Sequence, residues 1–329
     1  MALILKNIIV IGASGNLGPS ILSALDSNPR FAGDIEVLSR SSSKTTFPPH
    51  IKIHRVSDSY PFDELVTAFK DQDAIVNMAP ITEVATHKTI IDAAIKAGVK
   101  RIILSEFGTN VPELQTTEPL TEVYRGKVEI RKYMESKEGQ GLTWTGLVVG
   151  AFFDWGLEDG FIGFDLKSKT ATISDPGTTP TNFTLLATTG LATAAILAKP
   201  AETANRYVFI NSFRTTQNEI LSALQTATHQ KWTVEHTTCE AESRIGKEKL
   251  DRGDWSGVGQ AIMGASYSGG KYDFAEGRTL DNELLGLPLD EDLETTVERI
   301  VRGEQEKEIG PDAMMITEDL PVLEKPVLE

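Results

Sequence analysis

Apolar positions along this chain switch repeatedly between unbroken runs and helical spacing. Ile8 to Ile11 is a β-branched run with no polar interruption, the mark of a strand buried on both faces. Leu17, Ile21, Leu22 and Leu25 then recur at helical spacing, with Pro19 in the first turn, where a missing N–H costs nothing. Further strands are predicted at Asp34–Leu38, Ile51–Val56, Ala74–Pro80, Arg101–Leu104 and Leu142–Val149. Between them, helices are predicted over Pro61–Lys70, Thr86–Gly98 and Leu120–Ser136, with Gly98 as a C-terminal stop. Such alternation predicts an α/β fold built on a doubly wound parallel sheet.

From Phe161 the alternation ends. Thr170–Ser174 reads as a strand before the turn at Asp175–Pro176–Gly177, Phe183–Leu197 as an Ala-rich helix, and Tyr207–Ile210 as a seventh strand. Thr216 and Glu219 form a capping-box pattern that opens a helix running to Thr228. Trp232–His236 reads as a short strand and Leu293–Val301 as a last helix. Glu240–Gly277 is polar, glycine-rich and aromatic; it either caps a substrate cleft or forms a passive lobe.

The loop after the first strand carries the first chemical signal. Gly12–Ala13–Ser14–Gly15–Asn16–Leu17–Gly18 has glycines at Gly-x-x-Gly-x-x-Gly spacing between a strand and a helix. Such a loop brings backbone N–H groups and the positive end of a helix to a pyrophosphate, whereas a bare tight turn would bind nothing. The second strand ends at Arg40, with Lys44 nearby and serines around both. Two cations and several hydroxyls suit a 2′-phosphate, so the expected cofactor is NADPH/NADP+. Two solvated surface cations are the alternative, and Glu36, inside the strand, is the competing ribose partner.

Ligands of open α/β sheets gather at the carboxyl ends of the strands. Asn77, Met78, Ala79 and Pro80 are therefore expected beside the nicotinamide-side ribose, with Phe107, Gly150 and Phe152 from later strand ends in the same site. The aromatics Phe152, Phe153 and Trp155 either wall a nicotinamide or aromatic substrate or plug the core beneath a loop. Residues 1–157 are expected to form a Rossmann-type dinucleotide-binding unit, to which parts of 170–236 return. Residues 158–303 are expected to form a smaller substrate-binding lobe, and 304–329 an acidic tail.

Lys127 is the candidate acid or base. Val123, Lys127, Ile130 and Met134 are spaced four, three and four apart and share one helical face. An edge lysine would bury its stem and carry its ammonium to water. A lysine aimed into the cleft would lose hydration and gain a pKa nearer neutrality. Tyr124 lies one turn earlier, at a spacing that differs from the Tyr-x-x-x-Lys pair of short-chain dehydrogenases.

Composition narrows the partners. With 32 Lys and Arg against 47 Asp and Glu, the 329-residue chain carries a net charge of −15, which disfavours nucleic acid and anionic membrane surfaces. Cys239 is the single cysteine, so an intrachain disulfide or a multi-cysteine zinc site is excluded, and His50, His54, His87, His229 and His236 show no metal-ligand spacing. No apolar run is long enough to span a bilayer, and the apolar N-terminus feeds straight into the glycine loop, so a cytoplasmic protein is expected. A monomer or homodimer acting on a small molecule fits this profile.

In these residues the chain resembles the NmrA-like, isoflavone-reductase-like group of atypical short-chain dehydrogenases, its fungal oxidoreductases above all. The resemblance rests on Gly12–Gly18, Arg40 and Lys44, Ser105–Glu106–Phe107–Gly108, Lys127, Phe152–Phe153 and Leu285–Gly286–Leu287–Pro288, and extends to about residue 303. It implies NADPH-dependent reduction of a phenolic or other aromatic compound, with Lys127 as acid/base. It also implies that the glycine loop holds the pyrophosphate and Arg40 and Lys44 the 2′-phosphate. The missing Tyr-x-x-x-Lys is expected in this branch, and substrate-facing residues do not carry over. The group also includes non-catalytic dinucleotide sensors; a lyase or isomerase using the cofactor without net redox is a third reading.

Overall fold

The structure, a computed structural model, describes residues 3–31, 33–81, 83–110, 121–289 and 291–304. Six parallel strands come first: β1 (Ile8–Ile11), β2 (Ile35–Arg40), β3 (Lys52–Val56), β4 (Ala74–Asn77), β5 (Arg101–Gly108) and β6 (Thr143–Val148). The intervening helices are α1 (Gly18–Asp26), α2 (Phe62–Ala68), α3 (Val84–Ala97) and α4 (Thr121–Glu135). β1 sits between β2 and β4, with Ile8 opposite both Ile35 and Ala74. The chain winds outward from β1 in both directions, and because the strands are parallel their carboxyl ends share one edge.

The next stretch builds β7 (Ala151–Phe152), α5 (Phe153–Glu158), β8 (Phe164–Asp165), β9 (Thr170–Ser174), β10 (Thr181–Thr184) and α6 (Leu186–Ala198). β11 (Arg206–Phe209) then returns to β6, Arg206 opposite Thr145, and completes a seven-stranded sheet in the order β11-β6-β5-β4-β1-β2-β3. β12 (Phe213–Thr215) pairs with β10, which also pairs with β7. After α7 (Gln217–Thr228), β13 (Thr233–Thr237) joins β9 and β8. The described chain ends with α8 (Cys239–Leu250), α9 (Gly257–Ser266), α10 (Asn282–Leu285) and α11 (Leu293–Val301).

Alternation along β1 shows why the strand runs are wholly apolar. Ile8 and Val10 enter a core with Ile21 and Leu25 of α1 and Leu191 and Ile196 of α6. Ile9 and Ile11 enter the opposite core, with Ile90 and Ile91 of α3 and Ile130 and Met134 of α4. Both faces are covered, so neither tolerates a polar position. A third core, around Phe153, Phe164, Phe183, Phe213 and Ile220, joins the two small sheets to α5, α7 and α11.

Several expectations need correction. Phe183 and Thr184 belong to β10, not to the following helix; Phe183 packs edge-on against Phe153, ring centroids 5.5 Å apart. An apolar stretch of that length fits either periodicity, and pairing with β7 and β12 decides it. β4 ends at Asn77, so Met78 to Pro80 leave the sheet. Glu240–Gly277, to which the sequence assigned no element, holds most of α8 and all of α9; small residues let the two helices pack backbone to backbone, and a Cβ on Gly246 would lie 2.5 Å from the Ala261 nitrogen. Thr216 and Glu219 do close the capping box, and Gly98 does end α3 in the left-handed conformation. Leu120, the side chain of Val123 and the tail beyond residue 304 lie outside the described residues.

Candidate functional site

At the carboxyl edge of the sheet, the loop after β1 opens onto a cavity of about 320 Å³. Gly12, Ser14 and Gly15 line it on one side, Arg40 and Ser43 on another, and Met78, Ala79 and Pro80 on a third. Gly12 has φ +81, and a Cβ there would lie 2.6 Å from the Met78 carbonyl oxygen. Only glycine permits that approach of β1 to β4. The N-cap position of α1, Leu17, provides no side-chain cap, so the positive end of that helix is left for another acceptor. An exposed Gly15, an uncapped helix end and the Arg40 cation fit a pyrophosphate with a further phosphate on its ribose.

Other expected cofactor residues sit elsewhere. Asn16 and Lys44 are exposed and Leu17 packs into the core below; none of the three lines the cavity. Asn77 is buried and turned to His87. Phe107 and Phe152 are half-buried against the sheet's core. Gly150 lies under β10, where a Cβ would fall 2.1 Å from the Asn182 carbonyl oxygen. Phe153 is a core plug rather than a wall of the site. Glu36 faces β3, bonded to Lys52 and His54, and also accepts from Gln72, away from the cavity.

Two residues to which the sequence assigned no role shape this region. Arg55 on β3 donates from Nη1 to Ser39 Oγ at 3.0 Å and to the carbonyls of Arg40 and Ser43 at 3.1 and 2.9 Å. It ties down the loop that presents Arg40. The signal is the register of β2 with β3, which sets Ser39 opposite Arg55 and which periodicity does not reveal. The other residue is Glu106, on β5.

Lys127 is 6% exposed and Glu106 3%. The Lys127 ammonium donates to the Glu106 carbonyl and lies 3.8 Å from Glu106 Oε2. It therefore does not reach water as an edge lysine would. α4 aims it at the end of β5, where a Cβ on Gly108 would be 3.4 Å from Nζ. Burial pushes the Lys127 pKa below the ordinary lysine value while the Glu106 carboxylate opposes the shift; burial pushes Glu106 upward while Lys127 opposes that. Tyr207 donates to Glu106 Oε1 at 3.2 Å. Tyr124 presents its ring to the ammonium, 5.2 Å from the centroid, in a cation–π contact. Burial also raises the Tyr124 pKa. Trp155 and Phe161 pair nearby in sequence to the Phe152 turn, half-buried, with centroids 4.9 Å apart.

Among the described residues, no helix is long and apolar enough to cross a membrane. Residues 5–251 match the NmrA-like family. The oxidoreductase aprR of Aspergillus flavus is 38% identical over 300 residues, covering 90% of this chain and 99% of its own. Among solved structures, isoflavone reductase superposes with a TM-score of 0.67 at 20% identity, covering 85% of this chain and 94% of its own. The Citrobacter sp. triphenylmethane reductase complexed with NADP(H) does so with 0.67 at 19%, covering 89% and 99%. Those two likenesses show a shared fold. The family match over residues 5–251 and the aprR match along nearly the whole chain show that this chain belongs to the NmrA-like family, as an oxidoreductase.

Proposed function

We propose that the protein is an NADPH-dependent reductase of an aromatic or conjugated small molecule, with Lys127 supplying the proton. The observation that carries this reading is the Lys127 ammonium, buried at the same sheet edge as the glycine-lined cavity. Gly12, Gly15 and the open end of α1 would hold the pyrophosphate, and Arg40 the 2′-phosphate. A bound nicotinamide nucleotide would supply the hydride. Hydride addition to a carbonyl or conjugated carbon leaves an anion on the substrate, and Lys127 would protonate it. The product of that step is a neutral amine, the form that burial favours, so desolvation makes Lys127 a stronger acid than a lysine in water. The reductase names of the neighbours, and the NADP(H) in one of them, support the cofactor and the substrate class.

The test is a titration of NADPH, NADP+, NADH and NAD+ against the purified protein and its Arg40→Ala and Lys127→Ala variants, followed by turnover with aromatic acceptors. Tightest binding of NADPH is expected, with the preference for phosphorylated forms lost in Arg40→Ala. Lys127→Ala should bind NADPH nearly as well and turn nothing over. Equal binding of phosphorylated and unphosphorylated forms, or normal turnover by Lys127→Ala, overturns the reading.

A further inference from the structure

Glu106 Oε2 is a buried carboxylate oxygen with no hydrogen-bond partner. Such an atom costs free energy unless a charge answers it. The charge within reach is the Lys127 ammonium at 3.8 Å, held there by its bond to the backbone carbonyl of the same Glu106. The other carboxylate oxygen takes the Tyr207 hydroxyl, which fixes the rotation of the group. We propose that Glu106 is a positioning residue for the Lys127 proton: its carboxylate is the counter-charge that keeps the buried lysine an ammonium between turnovers. The proposal rests on the reading of Lys127 as the proton donor.

The proton count is simple. At rest the pair is an ammonium and a carboxylate. The ammonium gives its proton to the substrate anion, leaving an amine beside the carboxylate, and a proton from water then restores the ammonium. Glu106 stays ionised throughout. Without it, burial acts on Lys127 with no counter-charge against it, and the balance moves toward the neutral amine, which has no proton to give.

The surroundings add little charge of their own. From α4, Tyr124 faces the ammonium with its ring, and Arg131 bears on Glu106 and Tyr207. From β11, Tyr207 is held neutral by burial, as is Tyr124, whose phenol is also influenced by Tyr272. From α3, His87 acts on Lys127 only weakly while it stays neutral, and burial lowers its pKa. Arg131 favours the ionised form of Glu106, which strengthens the pair.

The test reads Lys127 directly in the cofactor-free protein, by NMR of lysine labelled with carbon-13 at Cε, the Lys127 signal being the one missing from Lys127→Met. Glu106→Gln keeps the size and an oxygen for Tyr207 while removing the charge. The expected result is a Lys127 titration midpoint lower by about one unit or more, a tenfold loss of proton affinity. The alkaline limb of the kcat/KM profile should move down with it. A purely structural role for Glu106 would lower stability and leave the midpoint where it was, and that result overturns the proposal. If Glu106→Gln does not fold, Lys127→Met gives the reciprocal reading: the Glu106 carboxyl midpoint must rise, and an unmoved midpoint refutes the pairing. The NMR arm needs no turnover, so a shifted midpoint in a protein that reduces nothing supports the pair while sinking the reductase reading.

Discussion

Asn77 at the end of β4 and His87 on α3 are hydrogen-bonded to one another, Nδ2 to Nδ1, at 3.0 Å. His87 Nδ1 thus accepts, and its Nε2–H donates to the Pro80 carbonyl at 3.1 Å. Asn77 Oδ1 takes the Ala79 N–H at 3.1 Å. The Met78–Pro80 segment that walls the cavity is shaped from behind by Asn77 and a neutral imidazole.

Two substitutions separate the roles of that imidazole. His87→Leu strands the Asn77 amide and the Pro80 carbonyl and is expected to cost about 1–3 kcal/mol of stability. His87→Gln offers an acceptor and a donor at similar positions and should cost much less. Burial depresses the His87 pKa below its ordinary 6.5. Its contribution is therefore complete above about pH 6.5 and declines as pH falls, because the unfolded chain then binds a proton that the folded one resists. Denaturant midpoints of wild type and His87→Gln should converge, or cross, between about pH 7.5 and 5. A constant difference would show that His87 is not held neutral.

Arg55 reaches the site only through the loop it clamps. Arg55→Ala should lower stability by about 1 kcal/mol and weaken NADPH binding by about tenfold, because the end of β2 that carries Arg40 and the loop after it must then be ordered at binding. Affinity for NADH should change far less. Arg55→Lys is expected to behave like the alanine variant, since one ammonium does not reproduce two nitrogens that reach Ser39, Arg40 and Ser43 from Nη1 and the Thr45 carbonyl from Nη2. Equal losses for NADPH and NADH, measured by fluorescence titration, would place Arg55 outside phosphate selection.

Asp154 caps α6, accepting the Leu186 N–H at 3.1 Å, and Thr188 of the same helix donates to Glu291 at 2.5 Å. Burial raises the pKa of both carboxyls above their ordinary 3.8 and 4.5, and Asp154 adds to the rise of Glu291. A raised carboxyl contributes stability below its unfolded value and loses it as pH climbs through the folded one. Asp154→Asn keeps an acceptor for Leu186 and removes a charge. Its stability relative to wild type should therefore improve as pH rises above about 4, as read from urea midpoints. A difference that is flat across that range would count against mutual strain between the two groups.

How much of this could be read from the sequence depends on what each element packs against. β1 to β6 were legible because both their faces are covered, which forces unbroken apolar runs. α9 was not, because its glycines serve close approach to α8 and carry no periodic apolar stripe. Lys127 stood out as a cation on an apolar helical face. Glu106 lay inside a motif without a role of its own, since nothing in the order of residues says that the end of β5 and a lysine of α4, 21 positions later, will meet. Arg55 illustrates the same limit: its partners are up to 16 positions away, on the neighbouring strand and the loop after it. Local patterns report burial; partners across a sheet report register, which the chain acquires only on folding.

The place of β11 bears on how the protein is made. Strands β1 to β6 leave the ribosome first, and β6 then has one row of N–H and C=O groups with nothing to pair with until Arg206–Phe209 arrives. Trp144 and Leu147 are buried in the finished sheet, so the waiting edge is also apolar. An open, greasy edge of this sort recruits other chains. A fragment stopped at residue 157 should self-associate, although it holds the whole glycine loop and Lys127. The stretch between β6 and β11 therefore has a task at birth apart from any in catalysis: it carries back the strand that seals the sheet.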